Sequence, residues 1–480
     1  MKKNKFYITT AISYTNADPH IGHALEFIQA DVIARYHRQH GDDTYFVTGT
    51  DEHGSKIVRA AEAAGEETKS FVDKYAKRFQ DLHKLLGISY DDFIRTSDQR
   101  RHWPGAIKIW QALDKAEALY KKEYEGMYCV GHEAFIKRSE LQDGLCPLHQ
   151  TTPEVLKEEN WFFKLTDYKD EVKKRIESDE LRVIPVTRKH EILNLFDEAE
   201  DVSFSRPAKD LSWGIPVPGD PSQTMYVWAD ALTNYLSVLG YGGDDGKMEY
   251  WPADVHLIGK DILRFHAMIW PAMLIAAGLE LPRSIYVHGF VTVDGQKMSK
   301  TIGNVIDPFQ LVEKYGSEVL RYFLLREIPS GDDGDFSYKN LEARYNSDLA
   351  NGLGNLTARV LTLATKETFT GDEKIVDKVD AKIKEVRLLV EEKIQQFKLH
   401  EALAHIWELL AFGDAYINET KAWKREDKNI IFSLVTLLDN VASLLKSFMP
   451  ETAEKITKRI VWKGEMLTIK LGDVLFPRRT

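Results

Sequence analysis

The chain has 480 residues, about three times a typical domain of ~150, so two or three structural units are expected. Hydrophobic residues make up 43% and charged residues 29%, with 30 glycines and 16 prolines, which excludes a disordered, collagen-like or membrane-spanning chain. The net charge of −10 argues mildly against a nucleic-acid partner, which calls for clustered Lys and Arg, and two cysteines, Cys129 and Cys146, exclude a disulfide framework.

Met1-Lys2-Lys3-Asn4-Lys5 leads into a short apolar strand without a small-residue cleavage site, so no signal peptide is read and a cytoplasmic location is expected. Phe6 to Thr10 predicts a first strand, running into Ala11-Ile12-Ser13-Tyr14. The next loop brings Pro19-His20-Ile21-Gly22-His23 to the mouth of a helix predicted over Gly22 to His40. His20 and His23, three apart, share a face of a first helical turn, and Gly22 lets a bulky ligand approach the backbone. A helix N-terminus carrying imidazole donors suits an anion such as a triphosphate. Thr44 to Thr48 predicts a second strand, followed by Gly49-Thr50-Asp51-Glu52-His53-Gly54.

From about 116 to 215 the strand–helix alternation breaks. That stretch holds both cysteines, a run of Lys and Glu and the cluster Trp161-Phe162-Phe163, and reads as an insertion between two halves of a sheet. Within it, Cys129-Val130-Gly131-His132 and Cys146-Pro147-Leu148-His149 form C-x2-H twice, thirteen residues apart. Each half is a tight turn with two soft or borderline ligands, together a tetrahedral set for a closed, structural zinc site; unpaired structural cysteines are the alternative. Val255 to Ile258 and Ile285 to His288 predict further strands, the first feeding a helix over Ile262 to Gly278. That helix contains the apolar run Ala267 to Leu279, shorter than the ~18 residues a membrane span requires. After His288 comes Lys297-Met298-Ser299-Lys300-Thr301 on a loop between glycines. Lysines there are flexible point charges suited to following phosphates; read alone, the segment is equally a solvated basic loop. The alternation predicts an α/β fold with a Rossmann-type parallel sheet and ligands at the strand carboxyl ends.

Fourteen of the 16 prolines lie before residue 336, and the remainder reads as long helices. Leu349, Leu353, Leu356, Val360 and Leu363 recur at spacings of 4, 3, 4 and 3, as do Val379, Ile383, Val386, Val390, Ile394 and Phe397 in the same manner. With the apolar segment Ile430 to Leu445, this predicts an antiparallel bundle of about four or five helices. Asp348, Asn351, Asn355 and Arg359 form a polar stripe opposite the leucines, as a solvated face would.

His20-Ile21-Gly22-His23 together with Lys297-Met298-Ser299-Lys300 is the signature pair of class I aminoacyl-tRNA synthetases, and the chain most resembles the methionyl-tRNA synthetase family within them. Thr10 to Tyr14, Gly49 to Gly54, Trp213-Gly214-Ile215-Pro216, Tyr226-Val227-Trp228 and Ile258-Gly259-Lys260-Asp261 extend the resemblance over nearly the whole chain. Thr301 departs from the serine usual in the family but keeps a hydroxyl. The resemblance implies activation of methionine by ATP, release of pyrophosphate, and transfer to the 3′-terminal adenosine of tRNA(Met). It implies a catalytic domain in two halves, 1–115 and 216–335, a connective insertion over 116–215, and an anticodon-binding domain over 336–480.

Residue by residue, the resemblance assigns His20, His23, Lys297 and Lys300 to catalysis. ATP would be bound by His20, Gly22, His23, Gly259, Asp261, Lys297, Ser299 and Lys300, with Mg2+ accompanying the nucleotide. Asp51 would hold the substrate ammonium, although its triplet Asp51-Glu52-His53 also fits a solvated turn or a metal cluster. Ala11, Ile12, Tyr14, Trp228, Ala231, Leu232, Tyr235 and His266 would line the thioether pocket, Tyr235 or His266 donating weakly to sulfur. Arg206 matches a basic position of the site. The family's knuckle often has cysteine where this chain has His132, with Cys129, Cys146 and His149 completing the zinc set. Asn355, Arg359 and Trp423 match anticodon-reading positions.

Three rivals are weighed against this reading. A cysteine-specific synthetase needs a zinc-binding cysteine near the first strand, and none is present. The isoleucine, valine and leucine enzymes carry a large editing insertion that this length does not accommodate. A non-catalytic tRNA-binding relative would not be expected to keep His20, His23, Lys297 and Lys300. The final forty residues hold eight Lys or Arg against four Asp or Glu, a local basic surface within an acidic chain. The chain stops soon after Leu475-Phe476-Pro477-Arg478, and a monomer is expected.

Overall fold

The computed structural model describes residues 3–131, 133–147, 150–243, 246–298, 303–424, 427–463 and 466–479. The chain divides into two compact units, one of Met1–Pro19, His37–Lys84 and Ser89–Val287, the other of His20–Tyr36, Leu85–Ile88 and His288–Thr480.

The first unit is built on a parallel sheet. Its first four strands are β1 (Lys5–Thr10), β2 (Ser13–Tyr14), β3 (Asp43–Asp51) and β4 (Asp92–Arg95). The sheet runs β2, β3, β1, Val255–Gly259, Ser284–His288 and Arg182–Ile184, with β4 also on β3. β1 pairs in parallel with β3, Ile8 opposite Phe46, and with Val255–Gly259, Ile8 opposite Val255. β1 is buried from Phe6 through Thr10 and β3 from Tyr45 through Asp51. Such unbroken burial is what parallel strands covered on both faces require. All four strands predicted from the sequence form, each extended by one or more residues. Asp51 and Gly259 fall at strand carboxyl ends, where this architecture gathers ligands.

Segment 116–215 contains an antiparallel sheet in the order Ala134–Ile136, Leu119–Cys129, Glu154–Phe163 and Val202–Ser203, with helices Leu165–Glu177 and Val186–Leu195. One strand of the segment, Arg182–Ile184, instead pairs in parallel with Ser284–His288 and belongs to the main sheet.

The helix predicted over Ile262 to Gly278 is broken into pieces. A 3-10 turn at Lys260–Ile262 leads to a π-helical turn at Phe265–Ile269 and an α-helix at Trp270–Ala276. Pro271 explains the break, because its ring lacks an N–H and crowds the carbonyl of the preceding turn. The wider turn displays His266 at a strand end.

The second unit contains most of helix α1 (Ile21–Gln39). Asp31 in α1 accepts from Arg321 at 2.8 Å, both side chains fully buried, and from Arg35 at 2.7 Å. Arg321 also donates to the carbonyls of Phe448 at 2.9 Å and of Leu86 and Ser447 at 3.2 Å. With each guanidinium nitrogen matched, the ion pair is secure, and truncating one partner would cost ~3–5 kcal/mol. A hairpin of Val291–Val293 and Gln296–Lys297 turns at Asp294-Gly295, both with positive φ (48° and 76°), the backbone a two-residue I′ turn needs.

Helices Asp377–Gln395, Leu399–Thr420, Lys428–Leu445 and Pro450–Thr457 pack on one another through apolar stripes. Val379, Ile383, Val386, Val390 and Ile394 are the buried residues of the first of these, as the spacing predicts. Phe397 lies beyond its end in a left-handed conformation. In the leucine series Leu349, Leu353, Leu356 and Val360 are buried as the spacing predicts, through a π-helical stretch at Tyr345–Gly354, and at the end Leu361 and Ala364 are buried in place of Leu363. By length and composition Lys428–Leu445 could cross a membrane, with mean hydropathy 1.4, but 56% of it is buried against neighbouring helices.

Candidate active site

Asp51, Glu52 and His53 end β3 and are all buried, which removes the solvated-turn reading. Glu52 is matched by Arg95 at 2.7 and 2.9 Å, by Thr50 Oγ1 at 2.6 Å and by Ser97 Oγ. His53 Nδ1 meets Asp230 at 2.6 Å, and the second oxygen of Asp230 meets His102 Nε2 at 2.6 Å. Flanked by two imidazoles, the Asp230 carboxyl is lowered to about 2 despite the opposing cost of its burial. A cavity of about 700 Å³ opens beside His53, lined by Arg95, Arg100, Trp103 and Trp213 among others.

Asp51 is left without a cation. Among the described residues its side chain accepts only the backbone N–H of His53, at 3.4 Å. Burial, then the nearby charge of Asp230, push its carboxyl well above the usual range. Tyr14 and Trp228 meet edge to face, ring centroids 6.4 Å apart at 86°. Among the described residues, the Tyr14 hydroxyl and the Trp228 indole N–H are both buried with no hydrogen-bond partner. Trp228 stacks on Phe265 at 3.8 Å and stands edge-on to His266 at 6.2 Å.

Tyr235 and His266 are joined by a 2.8 Å hydrogen bond from the hydroxyl to Nε2, and His266 Nδ1 donates to the Ile262 carbonyl at 3.0 Å. Both protons are therefore committed, which corrects the expectation that either residue donates to a sulfur. Burial lowers His266 to about 4, keeping the ring neutral. Ala231 and Leu232 are buried in the same segment as Trp228, and Ala11 and Ile12 follow β1, half-buried.

Arg206 is held through Nη1, while its Nε is buried with no hydrogen-bond partner among the described residues. Its Nη1 donates to Ser203 Oγ at 2.8 Å and to the Ser205 carbonyl at 2.7 Å, and its guanidinium lies 5.0 Å from the rings of Tyr128, Phe135 and Tyr226. Three functional candidates escaped sequence reasoning. Helix α2 (Ser55–Ala64) starts at Gly54, which has no side chain to cap it. Glu133 supplies the missing acceptor to Ser55 N at 3.3 Å, Lys56 N at 2.5 Å and Ser55 Oγ at 3.2 Å, and takes Tyr128 OH at 3.0 Å. A β-carbon on Gly54 would come within 3.0 Å of Glu133 Oε1, so glycine admits this cap. Lys56 itself places Nζ 5.2 Å from the Tyr14 ring centroid. Asp230 had one sequence signal, a lone acid inside the apolar run Val227 to Leu232; Lys56 and Glu133 had only adjacency to the motifs.

In the second unit the two signature motifs meet. The His20 and His23 rings face each other at 4.0 Å, with Nδ1 of His20 accepting from Gly22 N and Nδ1 of His23 from His20 N, both at 3.1 Å. Each ring thus carries its proton on Nε2. A β-carbon on Gly22 would press on the His20 ring at 2.9 Å and reach Met298 Cε at 3.8 Å. Lys297 is exposed, its Nζ 5.8 Å from the Phe290 ring. Ser299 and Lys300 lie outside the described residues. Gly259 is buried and Asp261 exposed, both in the first unit.

Cys129 and Cys146 are both buried and are not joined in a disulfide. The fourth residue after each, Glu133 and Gln150, has positive φ (56° and 54°), so the two turns share a backbone shape. His132 and His149 lie outside the described residues, and among the described residues no group of three or more His, Cys, Asp or Glu is arranged to hold a metal.

Of the polar stripe, Asp348 accepts Tyr322 OH at 2.6 Å and Asn351 accepts Arg478 Nε at 2.8 Å. Arg359 pairs with Asp414 and donates to Asn418 at 2.9 Å. Asn355 is exposed, and Trp423 is 50% exposed on a 3-10 turn.

A family profile described as tRNA synthetases class I (M) matches residues 6–148 and 136–361, and one described as anticodon-binding domain of tRNA ligase matches 372–471. The chain is 41% identical to a methionine–tRNA ligase of Clostridium tetani, over 100% of the chain and 79% of that relative. It is also 41% identical to one of Brucella suis, over 95% of the chain and 92% of the relative. Methionyl-tRNA synthetase of Mycobacterium tuberculosis in complex with methionyl-adenylate superposes with a TM-score of 0.93 at 36% identity, covering 99% of this chain and 100% of that one. The free form of the same enzyme gives 0.87 at 34% identity, covering 100% of this chain and 99% of that one. The chain belongs to the class I tRNA synthetases of the methionine type, the methionine–tRNA ligases.

Proposed function

We propose that the chain, as a methionine–tRNA ligase, activates methionine around the Asp51 carboxylate. The observation that carries this reading is a buried carboxylate without a cation, near a pocket whose Tyr14 hydroxyl and Trp228 N–H have no partner, all among the described residues. Asp51 receives the substrate ammonium. The thioether lies among Ala11, Ile12, Trp228, Ala231, Leu232, Tyr235 and His266, where aromatic contacts with sulfur contribute ~0.3–1.5 kcal/mol. One methylene distinguishes ~1–3 kcal/mol in such a pocket, so homocysteine is a competitor.

In the first step a methionine carboxylate oxygen attacks the α-phosphorus of ATP, and the bond to the bridging oxygen breaks to release pyrophosphate. In the second, the terminal ribose hydroxyl of tRNA attacks the carbonyl carbon, loses its proton, and AMP leaves. No protein nucleophile is needed. Alignment alone can supply ~7–11 kcal/mol of the barrier. His20 and His23 present Nε2–H donors to the phosphates, Gly22 leaves them room, and Gly259 and Asp261 meet the nucleoside. Lys297, with Lys300 and Ser299, neutralises charge growing on the leaving pyrophosphate. Magnesium bound with the nucleotide would screen the phosphate charges.

Cys129, His132, Cys146 and His149 form a structural zinc knuckle in this reading, supported by the matching turns after the two cysteines. Its closed ligand set takes no part in the chemistry. We read 1–115 and 216–335 as the catalytic halves, 116–215 as the connective insertion and 336–480 as the anticodon-binding bundle. Trp423 and Asn355 are exposed for stacking and base-edge contacts, and Arg359 is available once it leaves Asp414 and Asn418. Methionine-dependent ATP–pyrophosphate exchange tests the reading: methionine should support exchange and cysteine should not. Exchange driven by cysteine, or none with methionine, would refute it.

A further inference from the structure

We propose that Lys56 is a substrate-binding residue of the activation step, its ammonium receiving the methionine carboxylate while Asp51 receives the amino group. The inference rests on the methionine reading above and adds a residue to it. An α-amino acid carries both charges on one carbon, so a pocket that meets its ammonium with a buried carboxylate needs a cation close by for the other end. Within the first unit, Lys56 holds its ammonium over the ring of Tyr14, and Arg206 holds its guanidinium against the ring of Tyr226. Arg206 is anchored through Nη1 to Ser203 and Ser205 and packed against three aromatic rings, with its Nε buried and unpartnered among the described residues, so it has little freedom to move toward a ligand.

Lys56 lies five residues beyond Asp51, in the first turn of α2, and its Nζ stands over the Tyr14 ring at 5.2 Å. Tyr14 is the residue whose hydroxyl is unpartnered and whose ring abuts Trp228. Among the described residues no carboxylate lies within 4.0 Å of Nζ; Glu133, Asp261 and Asp51 are the acids whose charge reaches it. Glu133 is occupied by the N–H groups of Ser55 and Lys56, by Ser55 Oγ and by Tyr128. That cap occupies the first two N–H donors of α2 and leaves the Lys56 side chain available to an anion. A half-buried ammonium held over an aromatic ring without an ion-pair partner is costly until an anion arrives, and the substrate carboxylate is that anion. The same charge then faces the carboxyl oxygen as it bonds to the α-phosphorus, so the contact persists through the reaction.

The test compares L-methionine with L-methioninol, in which the carboxylate is replaced by a neutral hydroxymethyl group. Binding to the full chain is measured by calorimetry for the native protein, Lys56→Met, Lys56→Gln and Lys56→Arg. Both neutral variants should weaken methionine about ten- to a hundredfold, the loss of a charged hydrogen bond, leave methioninol within about twofold, and Lys56→Arg should restore part of the methionine affinity. Parallel weakening of both ligands, or unchanged methionine binding, would overturn the role of Lys56. Failure of the native chain to bind either ligand would instead overturn the methionine reading itself.

Discussion

Replacing Glu133 by Ala tests how the loop after Cys129 supports the substrate end of β3. Glu133 is 2% exposed and accepts four hydrogen bonds, from Ser55 N, Ser55 Oγ, Lys56 N and Tyr128 OH. Truncation leaves two backbone N–H groups at the start of α2 without an acceptor, and Gly54 has no side chain to replace it. Loss of an N-terminal cap costs ~0.5–2 kcal/mol, and a buried unsatisfied donor such as Tyr128 OH ~1–3 kcal/mol. Against this, removing a carboxylate that burial already pushes above its ordinary range recovers part of its desolvation cost. The net loss is therefore about 1–3 kcal/mol. Because α2 begins four residues after Asp51, methionine affinity should fall along with stability. Urea unfolding and methionine calorimetry, with Glu133→Gln expected to fall between native and Ala, measure both. A Glu133→Ala protein that unfolds at the native urea concentration and binds methionine normally would refute the reasoning.

Lys297→Ala should slow adenylate formation by at least about tenfold in single-turnover measurements, the loss of a charged contact to the leaving group, while methionine affinity stays within twofold. Trp423→Ala should reduce aminoacylation far more than pyrophosphate exchange; equal losses in both would indicate a folding defect. Stability should fall as pH drops from 6.5 toward 4. Burial keeps His266 neutral down to about 4 and holds His256 well below its ordinary value, so the unfolded chain binds protons there that the folded chain does not. Each such histidine contributes a slope of up to ~1.4 kcal/mol per pH unit, and His256→Gln should make urea unfolding less steeply pH-dependent. The Asp230 contribution has a different window: it is complete above the ordinary carboxylate value of 3.8 and is lost as pH falls toward about 2.

The strands and the two signature motifs were legible because each depends on local pattern. β1 and β3 appear as short apolar runs ending in polar turns, and the spacing of His20 and His23 sets their ring pairing directly. The stripe Val379 to Ile394 was equally legible, since an uninterrupted α-helix carries its periodicity straight into burial. Failures came where the period changed. Pro271 opened a π turn at His266, and past Val360 the buried face turned to Leu361 and Ala364 in place of Leu363. Partners distant in sequence were invisible: nothing in Asp51-Glu52-His53 shows that Arg95 would satisfy Glu52 and Asp230 would satisfy His53, leaving Asp51 alone with a raised carboxyl. Likewise, the donors of Tyr235 and His266 are spent on each other and on Ile262, which only the fold reveals.

The central claim is that the Asp51 carboxylate binds the substrate ammonium, and Asp51→Asn tests it with almost no change of shape. Removing one partner of a buried charge pair costs ~3–5 kcal/mol, so methionine binding should weaken at least about a hundredfold in calorimetry. Binding of 4-(methylthio)butanoate, which lacks the amino group, should be unchanged, and the variant should be at least as stable as the native chain because a costly buried carboxylate is gone. Methionine binding within threefold of native in Asp51→Asn would contradict the account.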